Sequence, residues 1–271
     1  MPSTEFSHIE LSFGSFDALR AVHFARRFPP HFHDTFAIGV VEEGSCVIRT
    51  RRGEWMARPG SVLAFSPGEV HAAIPCDEQG YTYRMIYPSV EAMQELGGAF
   101  RGVFAFCAPV IDDERLSGPL REAQVPLMGE GAAVYAESLF VAALRQLGGF
   151  RVPADRRAER AAADARIVAI AHEHMAARLS DSVKLDDVAA LCGVSPFHLI
   201  RIFHRAVGVT PIAYFIQLRV LRAQAMLAEG SAVADAAYAC GFSDQSHLTR
   251  AFRDVVGVPP GRYLRSVQHR A

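Results

Sequence analysis

A nine-residue corner that occurs twice constrains this chain more than any other feature. Asp187-Val188-Ala189-Ala190-Leu191-Cys192-Gly193-Val194-Ser195 returns 48 positions later as Asp235-Ala236-Ala237-Tyr238-Ala239-Cys240-Gly241-Phe242-Ser243. Each copy runs on into a Leu-x-Arg-x-Phe segment, Leu199, Arg201 and Phe203 in the first and Leu248, Arg250 and Phe252 in the second. Each segment then meets a Gly with a Pro three residues on, Gly208 and Pro211, then Gly257 and Pro260. A short helix, a glycine corner and a second helix is the layout of a helix–turn–helix, and two in matching phase point to a reader of DNA. Past the corner the offset grows from 48 to 49, so one extra residue enters the second turn after Ser243.

The spacing predicts supporting helices over 185–192 and 233–240 and following helices over 196–207 and 244–256. Asp164, Ser195, Thr210 and Ser243 stand where helix N-caps are wanted. Leu199, Ile202 and Phe203, and likewise Leu248, Ala251 and Phe252, share one helical face and are expected inside. That leaves Phe197, His198, Ile200, Arg201 and His204 for the flank and outer face of the first following helix, and Gln245, Ser246, His247, Thr249 and Arg250 for the second. Residues 210–228 read as one helix joining the two units, with Pro211 at its first position, where a missing N–H costs little. At 1.5 Å per residue such a helix spans roughly 27 Å, enough to hold two reading helices near one DNA turn apart, roughly 34 Å.

The rest of the chain has a different texture. Residues 18–88 hold short Val-, Ile-, Phe- and Tyr-rich runs (36–41, 46–50, 61–65 and 81–87) separated by Glu43-Gly44, Arg52-Gly53, Pro59-Gly60 and Pro67-Gly68. Strands this short and close suggest a small barrel or jelly roll. Helices are expected over 89–96, 113–124 and 132–147, the last two parted by Val125-Pro126 and Gly129-Gly131. The apolar stripe Val134, Leu139, Phe140, Ala143, Leu144 and Leu147 serves either a core or a dimer seam. The fold class is therefore α+β in two domains: residues 1–150, a linker over 151–163, and an all-α domain over 164–271.

Charge follows the same division. Residues 1–150 carry a net charge of −6 and residues 165–271 a net charge of +4, with six of the eleven histidines in the latter. A basic end on an acidic remainder suits a nucleic-acid module joined to something else. No run of 18 apolar residues offers a membrane span, and Met1-Pro2-Ser3-Thr4-Glu5 lacks a signal-peptide layout. The five cysteines lack any Cys-x-x-Cys spacing and read as small buried residues in a reducing compartment, which implies a cytoplasmic location.

The second copy, from Ala239 through Phe252 and on to Gly257, Pro259, Pro260, Tyr263 and Leu264, resembles the DNA-binding domain of AraC/XylS-type transcription regulators. The resemblance covers roughly the last hundred residues and implies seven helices with two helix–turn–helix units. It implies base-reading positions at Phe197, Ile200 and Arg201 in the first unit and at Gln245, Ser246, His247, Thr249 and Arg250 in the second. Ile200 is apolar, fit for a thymine methyl and unable to hydrogen-bond.

Residues 15–90 are similar to the cupin-like effector domain that precedes this DNA-binding domain. That likeness implies a barrel with a small-molecule pocket and helices behind it used for dimerisation. His31, His33, Glu42, His71, Tyr83, Met85 and Tyr87 are the expected lining residues. Tyr81, Tyr83, Met85 and Tyr87 share one strand face, either the barrel interior or the side packed on the helices. In metal-binding cupins two histidines of one motif, a glutamate and a later histidine hold the ion; here His31, His33 and His71 stand in those motifs, but Ala37 replaces the glutamate. No metal and no cofactor are assigned. The reading is of a non-enzymatic regulator with double-stranded DNA and a small effector as partners, a homodimer, and RNA polymerase as a partner if it activates. The alternative is a cupin-fold metal-binding protein or enzyme fused to a DNA-binding domain.

Overall fold

The computed structural model describes residues 3–11, 14–96, 104–127, 133–148, 151–153 and 159–268. The expected break at Gly129-Gly131 and the middle of the expected linker, 154–158, lie outside them. The chain forms two compact units, Met1–Arg27 with His33–Asp155, and Phe28–Phe32 with Arg156–Ala271.

The first unit is built from antiparallel strands. These are β1 (Ser3–Leu11), β2 (Gly14–Phe24), β4 (Ala37–Glu43), β5 (Cys46–Thr50), β6 (Gly53–Ala57), β7 (Val62–Phe65), β8 (His71–Pro75), β9 (Tyr81–Tyr87), β10 (Phe104–Phe106), β11 (Val110–Ile111) and β12 (Arg151–Pro153); β3 (Phe28–His31) falls in the second unit. One sheet has the order β1-β2-β9-β4-β7-β11, a second contributes β8-β5-β6, and β10 pairs with β12. The strands over 46–50 and 81–87 fall where the sequence placed them, but strand structure starts at Ser3 rather than near residue 18. Phe6 and Leu19, and Ile9 and Phe16, are directly opposed in the long β1–β2 hairpin.

Among the described residues three helices accompany these sheets, α1 (Val90–Glu95), α2 (Glu114–Leu127) and α3 (Ala133–Leu147). Ser89 caps α1 by accepting from the Ala92 N–H. The break expected at Val125-Pro126 does not occur; α2 carries Pro126 within its last turn. Alternation along the large sheet sends Ala18, Ile38, Val40 and Ile86 to one face, where they share a core with Leu116, Leu120, Phe140, Ala143, Leu144 and Leu147. The described part of the α3 stripe thus lies in the core of its own unit. Burying Phe140 and two leucines removes side chains each worth about 1.5–3 kcal/mol from water.

The described residues of the second unit hold seven helices: α4 (Glu159–Ala176), α5 (Leu185–Leu191), α6 (Pro196–Ala206), α7 (Pro211–Ala228), α8 (Val233–Ala239), α9 (Gln245–Val256) and α10 (Pro260–Gln268). Asp164 is not an N-cap. It lies inside α4, and its carboxylate takes two hydrogen bonds from the Arg205 guanidinium, at 2.6 and 2.8 Å, tying α4 to α6. The segment Phe28–Phe32 belongs to this unit through α7: the Gln217 side chain accepts from the Phe32 N–H and donates to the Pro30 carbonyl, and Phe32 stacks on Tyr214 at 5.1 Å. Gln217 is buried, so these two bonds satisfy an amide that would otherwise be costly. Among the described residues no single helix is long and apolar enough to cross a membrane.

Candidate functional site

Both corners of the repeat adopt the same backbone. Gly193 and Gly241 have φ of 66° and 70°, a left-handed conformation that glycine adopts without a Cβ penalty. In the first corner the Val194 N–H bonds the Ala189 carbonyl and the Gly193 N–H bonds that of Ala190; in the second, Phe242 bonds Ala237 and Gly241 bonds Tyr238. These paired bonds are the Schellman ending of a helix, and they turn the chain sharply into the next one. The Ser195 hydroxyl caps α6 by accepting from the His198 N–H, with Pro196 at the first position.

The second cap departs from expectation. Asp244, not Ser243, is the N-cap of α9, accepting from the His247 N–H at 2.8 Å. The residue inserted after Ser243 moves the helix start on by one, and the Ser243 hydroxyl bonds the Asp244 carboxylate instead. The His247 N–H first, and then the Ser243 hydroxyl, hold the Asp244 carboxyl below its ordinary pKa, so the cap stays ionised near neutrality.

Packing then decides which side chains remain for a partner. Leu199, Ile202 and Phe203 are buried, as are Leu248 and Phe252, while Ala251 is half-buried. On α6, Phe197 and Arg201 are exposed, with Ile200 half-buried beside them. Phe197 leaves 70% of its surface in solvent, and the Arg201 guanidinium lies 5.9 Å from its ring centroid. On α9, Gln245, Ser246 and Arg250 are exposed, and His247 and Thr249 are half-buried. Arg253, absent from the expected set, is exposed one turn further along. The two helices thus present one aromatic-plus-arginine surface and one polar surface. α7, of 18 residues, separates the units.

The candidate effector residues of the first unit divide into two groups. Tyr83 and Met85 are buried, and Tyr87 is half-buried, on the face of β9 opposite the helix-packed Ile86. Tyr83 stacks on Tyr81 at 4.9 Å, and Phe24 meets both edge-on at 6.2 Å. His33 packs on Tyr87 and His71 at 5.0 and 5.3 Å, and His71 stacks on Phe65 at 3.8 Å. Gly39 makes room for this cluster, since a Cβ there would collide with the Met85 sulfur and the Arg84 carbonyl. Tyr81, Phe24 and Phe65 are cluster members that were not expected as lining; the period-two alternation of β9 already marked Tyr81. Burial pushes the hydroxyls of Tyr81, Tyr83 and Tyr87 upward, so they remain neutral donors. Burial likewise pushes the Cys46 thiol up to about 12.

Glu42 does not join this group. It alternates with Ile38 and Val40 onto the other face, where the Arg84 guanidinium donates to it at 2.6 Å. His31 is buried, and its Nδ1 donates to the Pro29 carbonyl. The His71 Nδ1 donates to the Glu69 carbonyl in the same way, which makes Nε2 the acceptor in each ring. Ala37, at the position of the missing glutamate, brings no donor. Of the five cysteines, all free, Cys46 and Cys240 are buried and Cys192 is half-buried, whereas Cys76 and Cys107 are exposed, contrary to the expectation that all five are interior.

Comparison with known proteins agrees with this division. Residues 13–147 match the AraC-like ligand-binding domain and residues 188–266 a helix-turn-helix domain. The chain is 30% identical over 246 residues to the HTH-type transcriptional regulator YbfI of Bacillus subtilis, covering 86% of this chain and 85% of that one. It is 24% identical over 234 residues to the arabinose operon regulatory protein of Salmonella typhimurium, covering 84% and 83%. A crystal structure of ToxT from Vibrio cholerae shares the fold, with a TM-score of 0.56, 12% identity and 98% of both chains covered.

Proposed function

The chain belongs to the AraC family of transcription regulators, and from that premise we propose how it reads DNA and senses its signal. α6 and α9 enter successive major-groove segments of one duplex. Phe197, Ile200 and Arg201 meet base edges in the first segment, and Gln245, Ser246, His247, Thr249 and Arg250 meet them in the second. The observation that carries this reading is the pair of identical Schellman corners flanking one 18-residue helix, each followed by a capped helix with its apolar face buried. A helix of that length is about 27 Å long, close to the separation of major-groove faces one turn apart.

The aromatic cluster of Tyr81, Tyr83, Tyr87, His33 and His71 receives the small-molecule effector. Its neutral hydroxyls and imidazoles supply hydrogen bonds inside an apolar wall, the composition expected of a small-molecule site. Effector binding shifts a homodimer between arrangements of its DNA-binding units, and an activating outcome brings RNA polymerase as the further partner. The protein works in the cytoplasm and catalyses no reaction. The domains divide as 1–150, 151–163 and 164–271.

Selection of a random duplex library by the full chain tests the DNA reading. The expected result is an enriched motif in two blocks one helical turn apart, whose affinity falls steeply between 50 and 200 mM salt. Enrichment of a single block, or affinity indifferent to salt, would sink it.

A further inference from the structure

We propose that Ser243 and Asp244 are positioning residues for base readout. They fix the tautomer of His247 so that its Nε2 is a hydrogen-bond acceptor, and α9 thereby selects a base whose major-groove edge offers an amino group, adenine or cytosine. The inference rests on the reading of His247 as a base contact, and its test separates the two.

A relay of hydrogen bonds runs from the cap of α9 to the imidazole. The Asp244 Oδ1 accepts from the His247 backbone N–H at 2.8 Å. The Ser243 hydroxyl donates to the Asp244 Oδ2 at 3.1 Å, and its oxygen lies 3.2 Å from the His247 Nδ1. Asp244 is ionised near neutrality, so it can only accept. A hydroxyl has one proton, and of its two neighbours the carboxylate is the stronger acceptor because that bond is charge-assisted. With the proton spent there, the Ser243 oxygen offers the imidazole nothing but lone pairs. A neutral imidazole carries one N–H, and it bonds this oxygen only when the N–H is on Nδ1. Nε2 is then a bare acceptor, and among the described residues no hydrogen bond reaches it. The buried Phe242 ring meets the imidazole at a right angle, with centroids 5.1 Å apart, and supports the same ring orientation.

The first unit has no counterpart. Ser195 is itself the cap of α6, and Pro196 follows it. The relay is therefore a product of the residue inserted after Ser243, which frees the serine from capping and places a carboxylate beside it. In the major groove adenine offers its N6 amino group and cytosine its N4 amino group, whereas guanine offers only acceptors. An acceptor Nε2 bonds the first two and sets lone pair against lone pair with guanine. Water leaves this surface as α9 enters the groove, so the match and the mismatch both weigh more. One substitution inverts the relay. Asp244→Asn keeps the cap, since asparagine caps as well as aspartate, and its amide oxygen takes the Oδ1 place to accept the His247 N–H. The amide NH2 then donates to Ser243, the serine proton turns to Nδ1, and the imidazole proton moves to Nε2.

The test has two arms, both on the full chain. Long-range proton–nitrogen NMR of 15N-histidine-labelled protein at about pH 8.5, above the usual imidazole range, reads the tautomer without DNA, with His247→Ala assigning the signals. Nδ1–H is expected in the wild type and Nε2–H in Asp244→Asn. Competition binding then compares the four base pairs at the motif position where His247→Ala loses its preference. The wild type should favour cytosine over guanine by about threefold to tenfold, and Asp244→Asn should favour guanine by a similar factor. Adenine, with an N6 donor beside an N7 acceptor, serves both. Ser243→Ala breaks the relay and should bring cytosine and guanine to within about twofold. If His247→Ala alters preference at no position, the base contact itself fails and the proposal with it. If it does alter one, then an Nε2–H wild type, a tautomer unmoved by Asp244→Asn, or a cytosine preference that survives Asp244→Asn would overturn the relay alone.

Discussion

The two helix–turn–helix units share a backbone and differ in almost everything that surrounds it. Their corners have the same pair of Schellman bonds and glycines within a few degrees of each other in φ. Around Gly193 there is open space, whereas a Cβ on Gly241 would stand 2.6 Å from the Leu179 carbonyl and 2.9 Å from that of Ser180. The loop over the second corner is pinned there by Arg219, which donates to the Leu179 and Asp181 carbonyls and packs over Phe215. Support for the first unit comes from elsewhere, the Asp164–Arg205 pair that ties α4 to α6. A duplicated sequence thus repeats the local turn, while tertiary packing gives each copy its own role.

Substitution of the two glycines separates these layers and has the largest expected effect. Gly193→Ala meets only the left-handed backbone, a cost of about 1–2 kcal/mol. Gly241→Ala meets that strain and a collision with two fixed carbonyls, which adds about 1–3 kcal/mol of overpacking. Urea unfolding of both variants is the measurement. Equal losses would mean that the packing over the second corner yields freely, and the contrast between the units would shrink to the turn itself.

Acid probes the same asymmetry through His31. The segment Phe28–Phe32 packs on α9 and α7, and burial pushes the His31 imidazole down to about 4, against the opposing influences of the Pro29 carbonyl and Asp254 of α9. An unfolded histidine takes up its proton near pH 6.5. Between that pH and about 4 the unfolded chain therefore binds more protons, and stability falls as pH falls. Nothing is lost above pH 6.5, and the loss amounts to about 3 kcal/mol once pH 4 is reached. His31→Gln should flatten this slope in urea unfolding at stepped pH. In hydrogen exchange at pH 5, α9 should lose protection before α6; simultaneous loss would show that the acid effect is not confined to the second unit.

How much of this was legible in the sequence depends on whether the cause was local. The repeat fixed the corners, the inward leucines and phenylalanines, and the caps at Ser195 and Thr210, because turn and cap chemistry acts within a few residues. The one-residue insertion was visible too, yet its consequence at Asp244 was not, because Ser243 and Asp244 are both competent caps and only the backbone angles choose between them. Asp164 misled for a related reason. An acidic residue near a helix start has the look of a cap, and its distant partner Arg205 has no sequence signal. In the first unit the alternation of β9 was legible, but which face looked at the helices depended on the sheet order. The same alternation separates Glu42 from the tyrosines. The β1 strand shows the period-two pattern Phe6, His8 and Glu10 against Ser7, Ile9 and Leu11, which the turn-rich region after residue 18 overshadowed.

The smallest effect sharpens the comparison at the DNA surface itself. On the motif enriched by the full chain, Arg201→Ala and Arg250→Ala should each cost about 1–3 kcal/mol, confined to that motif if the guanidinium reads a base and spread over all sequences if it binds phosphate. Phe197 and Ile200 have no hydrogen bond to offer, so what α6 gains from them is contact with thymine methyl groups, at about 0.8 kcal/mol per methyl removed from water. Uracil in place of thymine deletes those methyls and leaves every hydrogen-bonding group in place. The wild-type chain should therefore lose affinity when uracil fills the block read by α6, and no more than a trace when it fills the block read by α9. In Phe197→Ala the uracil penalty in the first block should shrink, because the contact it removes is already gone, and the cycle of the two changes isolates that contact. Equal penalties in the two blocks, or a penalty unchanged by Phe197→Ala, would mean that the aromatic on α6 is not a reader, and the two helices would then differ in sequence without differing in how they recognise bases.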